Sequence, residues 1–121
     1  MGHPPKGEYD PVWVVHFSMT FFGTVFTVVP QVRIELSRLI LYKVATMKAQ
    51  GKRAHIESAI AKLFISESYV AASLDALQIH GASGYTTELD FERNLRDSIA
   101  GKIYSGTSEI QRNIIASLLG L

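Results

Sequence analysis

Apolar residues recur with a helical period along most of this chain, and turns that contain glycine separate the segments that carry the period. From Gln31 onward, apolar side chains return every three or four residues, which gathers them on one face of a helix. The pattern predicts helices near 31–50, 55–80, 90–100 and 108–118. The sequence therefore predicts an all-α fold, an antiparallel four-helix bundle with short connections.

Capping residues predict where these helices begin and end. Gly51 is the expected C-cap of the first helix, and the turn 81–84 is expected to end the second. Asp90 suits the N-cap of the third helix. Ser108 and Gln111 have the S-x-x-Q spacing of a capping box, which predicts that the last helix begins at Ser108.

Composition excludes several classes of protein. The chain has 121 residues, with 12 Lys and Arg against 11 Asp and Glu, so it lacks the basic excess of a nucleic-acid-binding protein. It has no cysteine, which excludes a disulfide scaffold, a zinc–thiolate site and a cysteine nucleophile. None of the four histidines lies four residues from another, so no metal site is predicted.

The first 30 residues differ in character from the rest. The segment Val12–Val29 contains no charged residue and includes Trp13 and four phenylalanines. Its length reaches the lower limit for a membrane span, but its hydroxyl residues, glycine and histidine favour a buried helix, a strand or a partner-facing surface instead. Pro30 is expected to close this stretch. No clear targeting signal precedes it.

One short segment could bind an anion. Gly106, Thr107 and Ser108 place a glycine and two hydroxyl groups at the start of a predicted helix, where free N–H groups favour phosphate or carboxylate. Ordinary helix capping by the same hydroxyl groups is the alternative, and the spacing alone does not separate the two.

Three separated motifs resemble the acyl-CoA dehydrogenase family. Residues 78–85 are similar to its Q-x-x-G-G-x-G-[YF] segment, residues 92–97 to its E-R-x-x-R-D segment, and residues 103–112 to its Y-[EGA]-G-T-[SN]-[EQ]-I segment. They occur in the family's order and at its spacing. The resemblance covers about residues 31–121 and implies the family's C-terminal helical domain, whereas residues 1–30 form an atypical leader that is not family-like.

The resemblance implies a flavoprotein of fatty acid metabolism that introduces an α,β double bond into acyl-CoA thioesters with FAD as cofactor. By this resemblance Gln78 contacts the FAD of a neighbouring subunit, together with Gly81 and with Ala82, which replaces a glycine. Thr107 and Glu109 match the positions that contact FAD at the start of the last helix.

The same resemblance implies that Tyr104, Ser105 and Gly106 line the thioester end of the substrate pocket. Ser105 occupies the position where most members hold the catalytic glutamate, and a serine hydroxyl is not a base near neutral pH. No catalytic residue is therefore assigned in this chain. Some members take their glutamate from an earlier helix, at a position that would fall upstream of Met1.

Two functions follow from these residues. The first is an acyl-CoA dehydrogenase, an oxidoreductase, present as a C-terminal part that needs a companion chain for activity. The alternative is a non-catalytic helical oligomerisation remnant of the family. Expected partners are acyl-CoA, a second copy or a companion dehydrogenase chain, and an electron-transfer flavoprotein, with neither nucleic acid nor membrane. The expected location is the cytoplasm, or the mitochondrial matrix in a eukaryote.

Overall fold

Four α-helices make up the part of the chain that the structure describes. The computed structural model describes the backbone from residue 11 to residue 121, without the side chains of residues 11–22, 25 and 26. No β-strand occurs in this part of the chain. The helices are α1 Pro11–Ala49, α2 His55–Tyr85, α3 Phe91–Gly101 and α4 Ser108–Leu119, which confirms the predicted all-α fold. The leader residues 1–10 lie outside the described residues.

Helix α2 lies at the centre of the bundle. It contacts α1, α3 and α4, and within the described part of the chain those three helices do not contact one another. The ion pairs Arg33–Asp75 at 3.6 Å and Lys43–Glu57 at 3.9 Å show that α1 and α2 run antiparallel. Arg112 of α4 lies 2.5 Å from Glu67 of α2.

Helix α1 is longer than the sequence predicts. It begins at Pro11 instead of residue 31 and continues through Pro30, so the expected closure of the apolar stretch at Pro30 is wrong. A proline inside a helix removes one backbone hydrogen bond but has a helical φ, and the apolar residues on both sides extend the same helix. No helix within the described residues is both long and apolar enough to cross a membrane.

The end of α1 confirms the predicted glycine cap, and α4 ends at a glycine in a similar way. Gly51 has a φ of +69°, its N–H donates to the Lys48 carbonyl at 3.0 Å, and the next N–H donates to the Met47 carbonyl at 2.9 Å. Gly120 ends α4 in the same left-handed conformation, with a φ of 76°. These reverse hydrogen bonds satisfy carbonyls that a helix end leaves without partners.

The N-terminal caps differ in detail from the predicted ones. Asp90 occupies the N-cap position of α3, but its side chain makes no capping hydrogen bond and pairs with Arg93 at 3.6 Å. In α4 the N-cap is Thr107, whose hydroxyl accepts a hydrogen bond from the Ile110 N–H at 3.4 Å. The predicted start of the helix at Ser108 is confirmed, but the predicted capping box from Ser108 to Gln111 is wrong, because Thr107 is the N-cap and Gln111 binds the Ser105 carbonyl instead.

Helix α2 breaks at Gly81, close to the predicted end at residue 80, but one further turn continues to Tyr85. Gly81 has a φ of 55° and a ψ of −134°, a conformation that residues with a Cβ rarely adopt. The chain then folds back so closely that a Cβ on Gly84 would lie 2.9 Å from the His80 Cβ. The glycines therefore allow a bent helix end where the sequence predicts a simple turn.

The interior of the chain is small. Its buried apolar residues are Ala54, Ala59 and Ala61, and the fully buried side chains are those of Ser98 and Ser108, among the residues whose exposure is described. Many large apolar side chains are exposed instead, including Leu39 and Tyr42, which are each 65% exposed. Monomeric proteins rarely leave so much large apolar surface in water, so the bundle has extensive surface suited to burial by other protein.

Candidate functional site

A tight turn joins α3 to α4 and contains three of the residues predicted to line the substrate pocket. Ser105 and Gly106 both have a positive φ, 57° and +92° respectively. The Ser108 N–H donates to the Lys102 carbonyl at 3.2 Å and closes the turn. Tyr104 is 63% exposed and Ser105 is also exposed, so both side chains are accessible from outside the chain.

Two side chains from other elements hold this turn. Lys62 of α2 donates from Nζ to the Gly106 carbonyl at 2.6 Å, and Gln111 of α4 donates from Nε2 to the Ser105 carbonyl at 3.2 Å. Gln111 is buried, and a Cβ on Gly106 would lie only 2.8 Å from its Nε2. Glycine at position 106 therefore satisfies both the positive φ and the close approach of the Gln111 amide.

The start of α4 supports both readings of its hydroxyl residues. Thr107 caps the helix, as ordinary capping requires. The Ser108 hydroxyl, however, is buried and has no hydrogen-bond partner among the described atoms. A buried hydroxyl without a partner costs about 1–3 kcal/mol of folding free energy, and here the chain itself covers it, so a bound group reaches it only if the turn opens.

Glu109 lies in the first turn of α4 and is exposed. Its own backbone N–H and the Thr107 hydroxyl hold the pKa of its carboxyl below the ordinary value, and the nearby charges of Arg112 and Lys102 act in the same direction. The carboxylate is therefore ionised at neutral pH and presents a negative charge beside the helix start.

The other predicted flavin-contacting residues lie at the break in α2. Gln78, Gly81 and Ala82 are exposed, and no atom lies within 4 Å of the position that a Gly81 Cβ would take. His80 Nδ1 lies 2.8 Å from the Ala76 carbonyl, so this nitrogen carries the proton and donates. The His80 ring stacks on Phe91 of α3 with ring centroids 3.9 Å apart.

The structure does not bring the two sets of residues together within one chain. The turn at 104–107 is attached to Lys62, whereas Gln78 lies sixteen residues further along the same helix. A rise of about 1.5 Å per residue separates these points of α2 by about 24 Å. The two sets could touch one compact group only if a second chain supplied one of them.

The break in α2 leaves room for part of a nucleotide cofactor. No atom lies within 4 Å of the position of a Gly81 Cβ, so a bound group has room to approach this backbone closely. No cluster of three metal-ligating side chains occurs among the described residues. FAD would be held by Thr107 and Glu109 at one place and by Gln78, Gly81 and Ala82 at the other.

A separate groove runs between α1 and α2, away from these residues. Its volume is about 390 Å³, and it is lined by apolar side chains such as Ile34, Leu41 and Ile65, with Arg33 and Arg38 also among its lining residues. None of the residues predicted from the sequence for FAD or substrate lines this groove.

Sequence reasoning missed Lys62 as a site residue and gave Gln111 the wrong role. Lys62 is 44 residues from Gly106 along the chain, so no local pattern connects them. Gln111 is six residues from Ser105, and the capping-box spacing offered a simpler explanation for it. The only available signal was the position of Lys62 in a segment that resembles the family.

Comparison with known proteins gives consistent results. The sequence model of the acyl-CoA dehydrogenase C-terminal domain matches residues 30–120. An L-prolyl-[peptidyl-carrier protein] dehydrogenase of Serratia sp. is 42% identical over 91 residues, which cover 75% of this chain and 24% of that protein. The mitochondrial short-chain specific acyl-CoA dehydrogenase of Rattus norvegicus is 46% identical over 86 residues, 71% of this chain and 21% of that protein.

Solved structures share the fold. The crystal structure of the prolyl acyl carrier protein oxidase AnaB matches with a TM-score of 0.82 and 42% identity, over 99% of this chain and 30% of that chain. The present chain thus spans about a quarter of the length of the relatives that it matches. With its helical fold and its matching C-terminal motifs, the chain belongs to the acyl-CoA dehydrogenase family, as a form of the family's C-terminal domain.

Proposed function

We propose that this chain is the C-terminal part of a flavin-dependent acyl-CoA dehydrogenase and that companion protein completes its active site. The observation that carries the proposal is the turn at Tyr104–Thr107, which is fixed by Lys62 and Gln111 at the place that the family uses for the thioester. A remnant without any link to the chemistry would not need this turn to be held from two elements.

The turn offers backbone donors to a carbonyl group. The N–H groups of Ser105, Gly106 and Thr107 have no acceptor among the described residues. Fixed N–H groups of this kind stabilise negative charge that develops on a thioester carbonyl when its α-proton is removed. Tyr104 is exposed beside them and supplies apolar surface for the acyl end.

Ser105 does not supply the base. Removal of an α-proton near neutral pH requires a positioned base of suitable pKa. Among the described residues, no such base lies beside the Ser105 hydroxyl to activate it. We therefore expect no measurable dehydrogenation of acyl-CoA by this chain alone, because the base, like most of the flavin site, comes from companion protein.

We propose that each FAD of an assembly is bound by two sets of residues, which come from two different chains. When bound, FAD accepts the hydride that leaves the β-carbon of the acyl group. Thr107 and Glu109 would contact one flavin, and Gln78, Gly81 and Ala82 that of a neighbouring subunit. The separation of about 24 Å along α2 supports this division. An electron-transfer flavoprotein is the proposed electron acceptor.

The thioester carrier is proposed to be coenzyme A. The relatives include enzymes named for acyl-CoA and others named for prolyl groups on a carrier protein, at similar identity. A carrier-bound prolyl thioester is therefore the second candidate substrate. Both present the same thioester carbonyl to the turn, so the chemistry proposed for Ser105–Thr107 is common to both.

Flavin content is the direct test. We expect the purified chain to gain flavin absorbance when it assembles with companion dehydrogenase protein in the presence of FAD. A protein that stays colourless under those conditions would favour the alternative, a non-catalytic oligomerisation module.

The extensive exposed apolar surface favours assembly in both cases. We therefore expect a dimer or larger oligomer in light scattering, and a monomer at high dilution would contradict this.

A further inference from the structure

The Ser105–Gly106 turn is held by a pair of side chains that no motif singles out. Lys62 and Gln111 each bind a different carbonyl of the turn, at 2.6 Å and 3.2 Å respectively. Lys62 carries a full charge and is half-buried, and Gln111 is buried. Hydrogen bonds from a charged donor are stronger than those between neutral groups, so the Lys62 bond is the stronger tie of the two.

Each of these bonds fixes the orientation of one peptide group. A trans peptide is planar, and its C=O and N–H point in opposite directions. No cis peptide bond occurs in the described chain. Because Gln111 holds the Ser105 carbonyl, the Gly106 N–H points away from Gln111; because Lys62 holds the Gly106 carbonyl, the Thr107 N–H points away from Lys62.

We infer that Lys62 and Gln111 are positioning residues, which aim the Gly106 N–H away from Gln111 and the Thr107 N–H away from Lys62, toward the thioester end of the pocket. Neither residue touches the substrate in this arrangement. The role in a reaction rests on the proposed function, whereas the orientation of the two peptide groups is a property of the chain alone.

Alternative conformations show why such positioning is needed. Ser105 has a positive φ although it carries a Cβ, so its backbone is not the one that a serine adopts by preference, and Gly106 takes either sign of φ readily. Without the two side-chain donors the peptide groups could turn over at little cost. The N–H groups would then point back toward Gln111 and Lys62, and the turn would present carbonyl oxygens to the thioester instead.

The orientation can be measured on the chain itself by residual dipolar couplings of its backbone N–H groups, with nitrogen-15 placed selectively in glycine and threonine. We expect Lys62→Met to change the coupling of Thr107 most, and Gln111→Leu to change that of Gly106 most. Lys62→Arg, which keeps a charged donor, is expected to restore most of the Thr107 coupling. Lys52→Met, at an exposed lysine in the α1–α2 turn, is the matched control.

Hydrogen exchange of the Ser108 amide provides an independent readout, because this N–H closes the turn on Lys102. We expect Lys62→Met to accelerate its exchange by about tenfold or more, as loss of a hydrogen bond from a charged donor implies. Amides in the middle of α2 are expected to exchange at the same rate as in the unchanged chain. If Lys62→Met does not fold, Lys62→Leu, which also lacks a donor, takes its place.

Either of two results would overturn the inference. One is an unchanged Thr107 coupling and Ser108 exchange rate in Lys62→Met. The other is an equal change at all labelled glycines and threonines that Lys62→Arg does not restore, which indicates general loss of structure.

These measurements use neither flavin nor acyl-CoA, so they separate this inference from the proposed function. In an assembly that dehydrogenates acyl-CoA, the inference further predicts that Lys62→Met lowers kcat and leaves KM nearly unchanged. Selective changes in the couplings of a protein that never binds flavin would leave the positioning role intact and contradict the proposed function only.

Discussion

Two of the glycine-bearing turns of this bundle, at Gly106 and at Gly81, are built in different ways. The turn at Tyr104–Thr107 is tied to α2 by Lys62 and to α4 by Gln111. The break at Gly81 has mostly local contacts, from His80 to Ala76 and from His80 to Phe91, and its residues face solvent. The comparison shows that the chain itself ties the first turn to two helices, whereas it leaves the residues of the second exposed.

The largest expected effect concerns the missing base in the first turn. Ser105→Glu would restore the commoner family residue, and because Ser105 already holds a Cβ at a φ of 57°, the change adds no new backbone strain. With a companion that supplies the other domains but no base, we expect acyl-CoA-dependent flavin reduction to rise about 10²–10⁴-fold, the usual contribution of a general base.

Ser105→Gln is the control for Ser105→Glu, because it has nearly the same shape but no basic carboxylate. An unchanged rate in Ser105→Glu, together with turnover by the unchanged protein, would mean that the base comes from elsewhere. The assignment of position 105 as the place of the missing base would then be wrong, and the first turn would be complete without a glutamate there.

The second prediction measures how tightly the first turn is packed. Gly106→Ala is expected to lower the free energy of unfolding by about 2–3 kcal/mol, since it adds left-handed strain and displaces the Gln111 amide. Gly51→Ala is the control, because Gly51 also has a positive φ but has no atom within 4 Å of its Cβ position. We expect it to cost only about 1–2 kcal/mol in denaturant titrations. Equal losses in the two variants would show that Gln111 does not crowd Gly106.

The third prediction tests whether the two turns are independent. His80→Ala removes the stacking on Phe91 and the bond to Ala76, and we expect it to destabilise α3 locally by about 1–2 kcal/mol. Hydrogen exchange of α3 amides should accelerate, while the Ser108 amide is unaffected. His55→Ala, at an exposed histidine, is the control. Acceleration at Ser108 would show that the turns are coupled and would break the comparison.

The smallest effect concerns charge at the start of α4. Thr107→Ala is expected to raise the pKa of the Glu109 carboxyl toward its ordinary value of 4.5, because the Thr107 hydroxyl helps to lower it. Because the pKa of this carboxyl is lower in the folded state, the carboxylate stabilises the fold at pH values above its ordinary pKa. This contribution is lost as the pH falls through the folded-state pKa. Nuclear magnetic resonance titration of the carboxyl carbon measures the change. Thr107→Ser keeps the hydroxyl and should leave the pKa low.

Local signals predicted most of the helices correctly. Gly51 and Gly120 mark the ends of α1 and α4, because a single glycine readily adopts the left-handed conformation that ends a helix. The beginning of α1 was missed because the local sequence around Pro30 looks the same whether the proline ends a helix or lies inside one. The extra turn of α2 was missed because it depends on Gly84 packing against His80 and Leu77 after the chain has bent.

The candidate site was predictable only as far as its motifs extend. Resemblance pointed to Tyr104–Thr107 and to Gln78–Ala82, and the structure places the first set at the start of α4 and the second at the break in α2. The bond from Lys62 to Gly106 could not be predicted, because a contact across 44 residues depends on how α2 and α4 pack.

The central position of α2 has a consequence for how the bundle opens. Because α1, α3 and α4 contact α2 but not one another within the described chain, each can detach without disturbing the other two. Loss of α2 would remove every contact between helices at once. Hydrogen exchange should therefore reveal three local opening reactions of different free energies, with the amides of α2 as the last to exchange. A companion chain that covers the exposed apolar faces would slow all three and join them into one cooperative transition.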